Sequence, residues 1–339
     1  MSSTATTAPP TPERIFETIN AFQRSEALKG AIELDLFTAI AEGNQTADEI
    51  ARRCRVSERG SRILCDYLVV QGLLTKNGDH YGLTPDTAAF LNRKSPSYIG
   101  TVSQFLLSPR AFAQFTTVAE AVRKGGSVIE DDGLNPEHPM WIDFARAMAP
   151  LMIMPAQGLA RTIGADRGEP WKVLGLAVGH GMYEITIAQQ NPAAEVWVVD
   201  WANVLQVAQE NAAKAGVSSR YHTIPGSAFE VDYGRDYDVA VITNFLHHFD
   251  TQTNERLLRK VHAALKPGGR VVVLDFVPNP DRVSPPAAGE FALIMLVATP
   301  SGDTYTFAQY EQMLKNAGFR SAEFKPLPQT FFGLAIGHK

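Results

Sequence analysis

The thirty residues that end at Asp200 limit most strongly the folds that this chain can adopt. An apolar run, 173–178, is short enough to be a buried strand. Gly179-His180-Gly181 follows as a tight turn, where a side chain would obstruct the backbone. Apolar residues then recur at helical spacing from Met182 to Ala188, and a second apolar run, 195–199, precedes Asp200. The stretch predicts a strand, a glycine turn, a helix, and a second strand that ends in an acid.

This order of elements is useful for binding a nucleotide. Glycines let a ligand approach the backbone, and the start of the helix offers free N–H groups. An acid at the end of the second strand can bind both ribose hydroxyls, and Asp200 follows Gly181 by 19 residues. Glu184 stands at the third position of a G-x-G-x-x-G motif, which argues against a nicotinamide and for another adenosine ligand. The alternative is an ordinary strand–helix–strand unit whose glycines only form a turn.

Size and composition are typical of a globular protein with two domains. The chain has 339 residues, and its net charge of −5 gives no general attraction to nucleic acid or anionic membranes. No apolar run reaches the roughly 18 residues that a membrane span needs. Residues 1–12 lack the features of a signal peptide and are predicted to be a disordered tail. Cys54 and Cys65 lie in helical patterns and are expected to be buried and reduced, as in a cytoplasmic protein.

Several helices followed by a hairpin are predicted for the first hundred residues. Residues 12–41 show helical apolar periodicity, and Thr46 with Glu49 forms a capping box at the start of another helix. A further helix precedes two short strands joined at Asn77-Gly78. The order helix, helix, helix, hairpin predicts a winged helix, and we assign it to residues 13–100.

A winged helix can bind DNA or serve as a packing module. Between Thr46 and Gly82 there are six positive and five negative side chains, a weak footprint for a phosphate binder. Ile15, Ile19 and Phe22 instead form an apolar stripe too near the terminus to have a core of its own. We therefore predict a homodimer that does not bind nucleic acid or membranes.

The rest of the chain, residues 101–339, is predicted to form one α/β domain. Residues 101–165 are mostly helical, and the stretch from Trp141 to Met154 is rich in methionine and aromatic residues. Core packing is its ordinary role, and a wall for a flat apolar ligand is the alternative. After Asp200, strands and helices continue to alternate, which predicts a doubly wound, mainly parallel sheet. Ligands bind at the carboxyl edge of such sheets.

Motifs along the whole chain resemble one family of enzymes. The stretch from Ala27 to Phe37, placed before a winged helix, resembles the dimerisation domain of the plant- and bacterial-type small-molecule O-methyltransferases. Val-Gly-His-Gly, Val-Val-Asp, Pro-Gly-Ser-Ala-Phe, Asn-Phe-Leu-His-His-Phe-Asp and Leu-Lys-Pro-Gly-Gly-Arg match that family's S-adenosylmethionine domain in order. The likeness covers about residues 14–338. It implies a Rossmann-like class I methyltransferase domain, with S-adenosylmethionine as cofactor and no metal.

The resemblance also implies roles for individual residues. The cofactor would be bound by Gly179 and Gly181 at its methionine part, Asp200 at the ribose, Trp201, Ser227, Ala228 and Phe229 at the adenine, and Asn244. His247 would be the general base and Asp275 the acid that orients it. The acceptor would be bound by Phe144, Met148, His248, Phe291 and Met295.

Three positions depart from the family's pattern. Gly175 stands where an acid near the amino group of the methionine part is usual, and Ser227 stands where many members have an acid. Thr304 replaces the second catalytic acid of the plant members. We predict an O-methyltransferase of secondary metabolism that acts on a hydroxylated aromatic or polyketide-like small molecule. Gly175 keeps open an enzyme of the same fold with other chemistry, such as a pericyclase, decarboxylase or hydroxylase. A regulator that binds DNA through the winged helix is the third alternative.

Overall fold

The structure is a computed structural model that describes residues 10–129 and 138–339. Most of the predicted tail, residues 1–12, lies outside the described residues, and positions 10–12 are exposed. The chain divides into two compact units, Met1–Leu107 and Ser108–Lys339.

The first unit is mainly helical. Its elements are α1 (Glu13–Ile19), α2 (Ala21–Glu33), α3 (Leu36–Ala41), α4 (Ala47–Cys54), α5 (Glu58–Val70), β1 (Leu74–Asn77), β2 (His80–Leu83), α6 (Pro85–Phe90) and α7 (Val102–Leu106). The predicted capping box of Thr46 and Glu49 is present at the start of α4. Both cysteines are free thiols, but only Cys65 is fully buried, while Cys54 is partly exposed. The predicted division after residue 100 precedes α7, which belongs to the first unit.

The turn of the β1–β2 hairpin lies one residue later than predicted. Asn77 pairs with His80, so that Gly78 and Asp79 form the two-residue turn in place of Asn77-Gly78. Gly78 has a φ of 62° at the first central position. That position favours glycine in a type II′ turn, which explains the shift.

The second unit is built on a sheet with helices on both faces. Its helices are α8 (Pro109–Phe115), α9 (Val118–Lys124), α10 (Met140–Met148), α11 (Ile153–Thr162), α12 (Met182–Gln190), α13 (Ala202–Lys214), α14 (Thr251–Ala264), α15 (Pro286–Ala298) and α16 (Phe307–Asn316). Its strands are β3 (Lys172–Leu176), β4 (Glu195–Asp200), β5 (Tyr221–Pro225), β6 (Tyr237–Thr243), β7 (Leu265–Asp275), β8 (Ser321–Pro326) and β9 (Gly333–His338). Within the described ranges, no helix has the length and apolar character that crossing a membrane would require.

The order of the strands confirms the doubly wound topology. The sheet runs β5-β4-β3-β6-β7-β9-β8, and β9 is antiparallel to both of its neighbours while the other pairs are parallel. Strands β3 and β6 are buried along nearly their whole length, and β7 is buried from Val271 to Asp275, as expected when helices cover both faces. The carboxyl ends of β3, β4, β6 and β7 meet at one edge, where the predicted site residues follow.

Strand β7 begins earlier than the sequence predicts. The proline and two glycines of residues 266–269 predict a turn between a helix and a strand that starts at Arg270. Leu265 instead already pairs with Tyr237, and the register shifts before Arg270 pairs with Val239. The predicted start of the strand is therefore wrong, although residues 266–269 have no partner in this register. Gly268, with a φ of 78°, lies in this irregular part of the ladder, which explains its turn-like sequence.

Candidate active site

The glycine turn after β3 has the conformation that its sequence predicts. Gly179 and Gly181 have φ values of 56° and 71°, a region that side chains disfavour. A Cβ atom on Gly181 would also lie 3.0 Å from Cβ of Ala208, so a larger residue would not fit. The backbone N–H of Gly181 donates to the carbonyl of Val178 over 2.8 Å, and α12 begins at the next residue. The turn thus presents backbone at the carboxyl edge of the sheet.

Asp200 is held against this turn by backbone donors. Its Oδ2 accepts a hydrogen bond of 2.8 Å from the N–H of Gly179, and its Oδ1 accepts one of 2.7 Å from the N–H of Trp201. Burial raises the pKa of the Asp200 carboxyl to about 6, although these two donors oppose the shift. The carboxylate therefore has a fixed orientation, and each oxygen keeps a lone pair for a ligand.

The loop after β5 lies beside Asp200. Gly226 donates its N–H to the carbonyl of Asp200 over 2.9 Å, which brings the adjacent Ser227 to the same edge. The Ser227 hydroxyl accepts a hydrogen bond of 3.2 Å from the N–H of Phe229, and Ala228 is buried. The structure therefore brings the predicted adenine-side residues of this loop together with the predicted ribose acid.

Asn244 directly follows β6, at the same edge of the sheet. Its φ is 51°, and its N–H donates to the carbonyl of Leu274 on β7 over 2.9 Å. The side-chain Oδ1 is buried and has no hydrogen-bond partner within the described part of the chain. A left-handed conformation at a non-glycine residue costs energy and is most common at functional sites. Asn244 is thus suited to bind a ligand, as the resemblance implies.

His247 and Asp275 form a buried pair at the ends of two neighbouring strands. His247 lies in a short 3₁₀ turn, Leu246–His248, after β6, and Asp275 is the last residue of β7. The His247 Nδ1 and Asp275 Oδ1 atoms are 2.6 Å apart, and the residues are 3% and 1% exposed. Because a carboxylate accepts a hydrogen bond, Nδ1 carries the hydrogen, and Nε2 can act as a base.

Further donors fix the carboxylate of Asp275. The hydroxyl of Tyr310 on α16 donates to Oδ2 over 2.9 Å, and the N–H of Phe276 donates to Oδ1 over 2.8 Å. The short 3₁₀ segment that carries His247 is itself held by Asn254, whose Nδ2 donates to the carbonyl of Leu246 over 2.9 Å. The imidazole ring therefore has little freedom to rotate away from its orienting acid.

His248 differs from its neighbour in its electrostatics. Burial, with the adjacent His247 ring as the second cause, lowers the pKa of His248 to about 3. The neutral ring donates from Nδ1 to the carbonyl of Phe245 over 3.1 Å. Protonation of His248 near neutral pH is therefore unfavourable, so this residue can line a site but is poorly suited to general acid–base work.

Aromatic rings surround the histidines. The ring of Phe291 on α15 meets the His247 ring edge-on at 4.7 Å and stacks on Phe276 at 4.0 Å. Trp141 on α10 contacts both Phe144 and His248, with ring centroids 5.9 and 6.0 Å apart.

Two predicted acceptor residues are thereby placed at the edge of the sheet. Phe291 adjoins the base, and Phe144 faces the glycine turn, where its ring lies 3.9 Å from the position of a Cβ on Gly179. Met148 and Met295 are buried, and their contact with an acceptor stays a prediction.

Sequence reasoning missed three residues of this region: Glu184, Tyr221 and Tyr310. Glu184 was noticed only as a departure from a glycine motif, yet it is 1% exposed and its Cγ lies 2.6 Å from where Gly175 would carry a Cβ. A charged residue between Tyr183 and Ile185, on the mainly apolar first part of α12, was the available signal. No signal in the sequence pointed to Tyr221 or Tyr310, because each contacts the site only through the folded chain.

The polar atoms at this edge fit an adenosyl cofactor. Near the glycine turn and the end of β6, three of the buried side-chain oxygens that lack a hydrogen-bond partner within the described residues are Glu184 Oε2, Tyr221 Oη and Asn244 Oδ1. Such atoms are rare in folded proteins because each forfeits a hydrogen bond to water. A ligand with hydroxyl groups and a positively charged group would satisfy them, and Asp200 adds a carboxylate in a fixed orientation.

Comparison with protein families gives two matches. Residues 172–320 match the model of an O-methyltransferase domain, and residues 16–93 match that of an O-methyltransferase dimerisation domain. The two matches correspond to the second and first compact units.

Individual relatives agree with these matches. A protein from Nostoc punctiforme, assigned provisionally as an O-methyltransferase, is 51% identical in sequence to this chain. Its crystal structure superposes on 98% of this chain and 100% of its own, with a TM-score of 0.94. The tetracenomycin polyketide synthesis 8-O-methyl transferase of Streptomyces glaucescens is 28% identical over 97% of both chains. The 3-hydroxy-5-methyl-1-naphthoate 3-O-methyltransferase of Streptomyces sahachiroi is 27% identical over 87% of this chain and 86% of its own.

Proposed function

The chain belongs to the O-methyltransferase family, and we propose that it methylates a hydroxyl group of an aromatic, polyketide-like small molecule. His247 is the general base, and the buried pair of His247 and Asp275 is the observation that carries this proposal. The two curated relatives above act on a polyketide and on a hydroxynaphthoate, which supports an acceptor with a hydroxylated ring.

The chain's residues divide the chemical work. S-adenosylmethionine supplies an electrophilic methyl group when it is bound. His247 accepts the acceptor's hydroxyl proton at Nε2, while Asp275 stabilises the positive charge that then develops on the ring. A base in this position contributes about 10²–10⁴-fold to the rate. Alignment of the two reacting groups supplies the remainder.

The glycine turn and Asp200 together hold the cofactor. Asp200 accepts hydrogen bonds from the ribose hydroxyls through its two carboxylate oxygens, which the N–H groups of Gly179 and Trp201 already orient. The aromatic rings of Phe144, Phe276 and Phe291 bury the reacting groups, and exclusion of water strengthens the electrostatic interactions among them. A flat acceptor ring matches this lining better than a flexible chain does.

The active protein is a homodimer. Ile15, Phe16, Ile19 and Phe22 are each more than half exposed in the first unit, which is the unit that matches a dimerisation domain. Apolar side chains grouped in this way are typical of a surface that a partner covers.

A direct assay tests the proposed activity. The protein is incubated with S-adenosylmethionine and a hydroxynaphthoate, and the products are separated by chromatography. The proposal requires a methyl ether of the acceptor together with S-adenosylhomocysteine. An acceptor that loses carbon dioxide or gains oxygen without gaining a methyl group would contradict it.

A further inference from the structure

The middle of strand β3 holds a glycine whose missing side chain is replaced by another residue. Gly175 pairs with Val198 on β4 and Val241 on β6, so it lies inside the sheet. A Cβ on Gly175 would lie 2.6 Å from Cγ and 2.9 Å from Cδ of Glu184. Glycine within a strand often marks a close approach by another group. Here that group is the carboxylate of Glu184, which reaches back from α12.

The Glu184 carboxylate lacks a counter-charge in the protein. The residue is 1% exposed, and no ion pair involves it within the described part of the chain. Its Oε2 has no hydrogen-bond partner there either. The titratable groups that face it are Asp200, Tyr183 and Tyr221, none of which is a cation. A buried carboxylate is expensive unless it is paired, so this one is suited to a cationic ligand.

The position of the carboxylate indicates which part of a ligand it meets. Asp200 is bonded to the glycine turn through the N–H of Gly179, whereas Glu184 lies on α12, three residues after Gly181, with its side chain beside Gly175 on β3. The ribose acid therefore contacts the turn itself, and the unpartnered carboxylate lies beside the strand that leads into the turn. S-adenosylmethionine carries a sulfonium and an ammonium group on its methionyl end and none on its ribose.

We propose that Glu184 binds the positively charged methionyl end of S-adenosylmethionine. The Glu184 side chain occupies the space that Gly175 leaves by lacking a side chain. The inference rests on the proposed function. It makes the glycine at position 175 and the acid at position 184 a matched pair. The carboxylate that seemed to be missing at position 175 is then supplied by the helix that follows.

Calorimetric titration with three ligands tests this assignment. S-adenosylmethionine carries both positive charges, S-adenosylhomocysteine carries only the ammonium, and methylthioadenosine carries neither. The Glu184→Gln variant should bind S-adenosylmethionine about 10- to 150-fold more weakly, the range for a hydrogen bond to a charged group. Its affinity for methylthioadenosine should stay within about twofold of the wild type, because no cation is present to lose. Equal weakening for S-adenosylhomocysteine identifies the ammonium as the partner, and weakening for S-adenosylmethionine alone identifies the sulfonium.

Two control variants bracket the result. Asp200→Ala should weaken all three ligands, because all three carry the ribose. Glu311→Gln removes an exposed carboxylate on α16 and should change none of the affinities.

Moving the carboxylate from position 184 to position 175 gives a second test, which does not depend on the glutamine variant. Gly175→Asp alone should lose affinity for S-adenosylmethionine, because the new side chain collides with Glu184. Glu184→Ala alone should lose it because the carboxylate is gone. The double variant Gly175→Asp/Glu184→Ala should bind at least about tenfold more tightly than either single variant, because one carboxylate again has space.

The outcomes separate this inference from the proposed function. Unchanged affinity of Glu184→Gln for S-adenosylmethionine, with normal binding by the wild type, would overturn the inference and leave the function standing. Weakening of methylthioadenosine by the same factor would also overturn it. A double variant no better than the single variants would do the same. A wild-type protein that binds none of the three ligands would contradict the proposed function itself.

Discussion

The hydroxyl of Tyr310 donates a 2.9 Å hydrogen bond to Oδ2 of Asp275, which leaves Oδ1 of the same carboxylate to hold His247. Tyr310 is fully buried, and it reaches the site from α16, 35 residues beyond Asp275. The base, its acid and this tyrosine thus form one chain of contacts that joins three elements. We assign Tyr310 as a positioning residue because it touches the acid and not the reacting groups.

Removal of the Tyr310 hydroxyl should loosen the orientation of the base. Tyr310→Phe is expected to lower kcat by about 2- to 13-fold, which corresponds to one ordinary hydrogen bond of about 0.5–1.5 kcal/mol. The KM for S-adenosylmethionine should be unchanged. Tyr237→Phe, which removes a buried hydroxyl bonded to the backbone of Tyr233, serves as the matched control and should leave kcat near the wild-type value. An equal fall in both variants would show that general destabilisation, and not orientation of Asp275, is the cause.

The two adjacent histidines should differ sharply in their contribution. His247→Ala is expected to reduce turnover at least about 10²-fold, because a general base is lost. Its affinity for S-adenosylmethionine should stay within about threefold, because the base acts on the acceptor. His248→Ala should reduce turnover much less, since burial keeps that ring neutral.

The acceptor's acidity provides a control for this comparison. A phenol that is already ionised at the assay pH needs no base, so His247→Ala should then retain most of its activity. Equal losses in the two histidine variants with a weakly acidic acceptor would remove His247 from its assigned role.

Glu184 should make the stability of the unliganded protein depend on pH. Burial and the charge of Asp200 raise the pKa of the Glu184 carboxyl to about 8, against about 4.3 in an unfolded chain. A raised pKa gives stability that is complete below the unfolded value and is lost as the pH rises toward the folded value. From this group the wild type should therefore lose on the order of a few kcal/mol between about pH 4.5 and pH 8.

Urea unfolding of Glu184→Gln and the wild type at several pH values tests this dependence. The two proteins should have similar stability near pH 4.5, and the variant should be the more stable of the two at pH 8. Asp200 and the nearby tyrosines remain in both proteins, so the difference reports on Glu184. Parallel curves for the two proteins would mean that the carboxylate is paired or hydrated in solution.

The apolar stripe on the first helices should hold two copies of the chain together. Ile15→Asp/Ile19→Asp is expected to give a monomer in sedimentation velocity at micromolar concentration, because two charges would then face the partner. Val70→Asp, at a residue that is 79% exposed on α5, is the control and should leave a dimer. A wild-type protein that sediments as a monomer under these conditions would contradict the predicted homodimer.

The course of the chain through the second unit could be predicted in most places. Short apolar runs bounded by glycine or proline located β3 and β6, and the position of Asp200, Asn244 and His247 after strands placed them at one edge of a parallel sheet. These are local signals combined with one topological rule. Where the local signal was ambiguous, as at residues 266–269, pairing with Tyr237 extended the strand beyond its predicted start.

The contacts that complete the site were not predictable from the sequence. In the sequence, Gly175 indicates only that a carboxylate is lost. Spacing along the chain does not tell which other side chain fills the space that is left. Glu184 fills it through the packing of α12 on β3, a tertiary contact. Tyr310 likewise meets Asp275 only because α16 packs against the sheet. Residues that act through other side chains leave no periodicity or motif from which they could be recognised.

Transfer of a labelled methyl group tests the central claim most directly. The protein is incubated with S-adenosylmethionine that carries a deuterated methyl group and with a hydroxynaphthoate, and the product is analysed by mass spectrometry and NMR. We predict that the deuterated methyl group appears on the acceptor's oxygen, with one S-adenosylhomocysteine released for each product, and that His247→Ala slows its appearance at least about 10²-fold. A product that is decarboxylated, hydroxylated or rearranged and carries no deuterium would contradict methyl transfer as the activity of this protein.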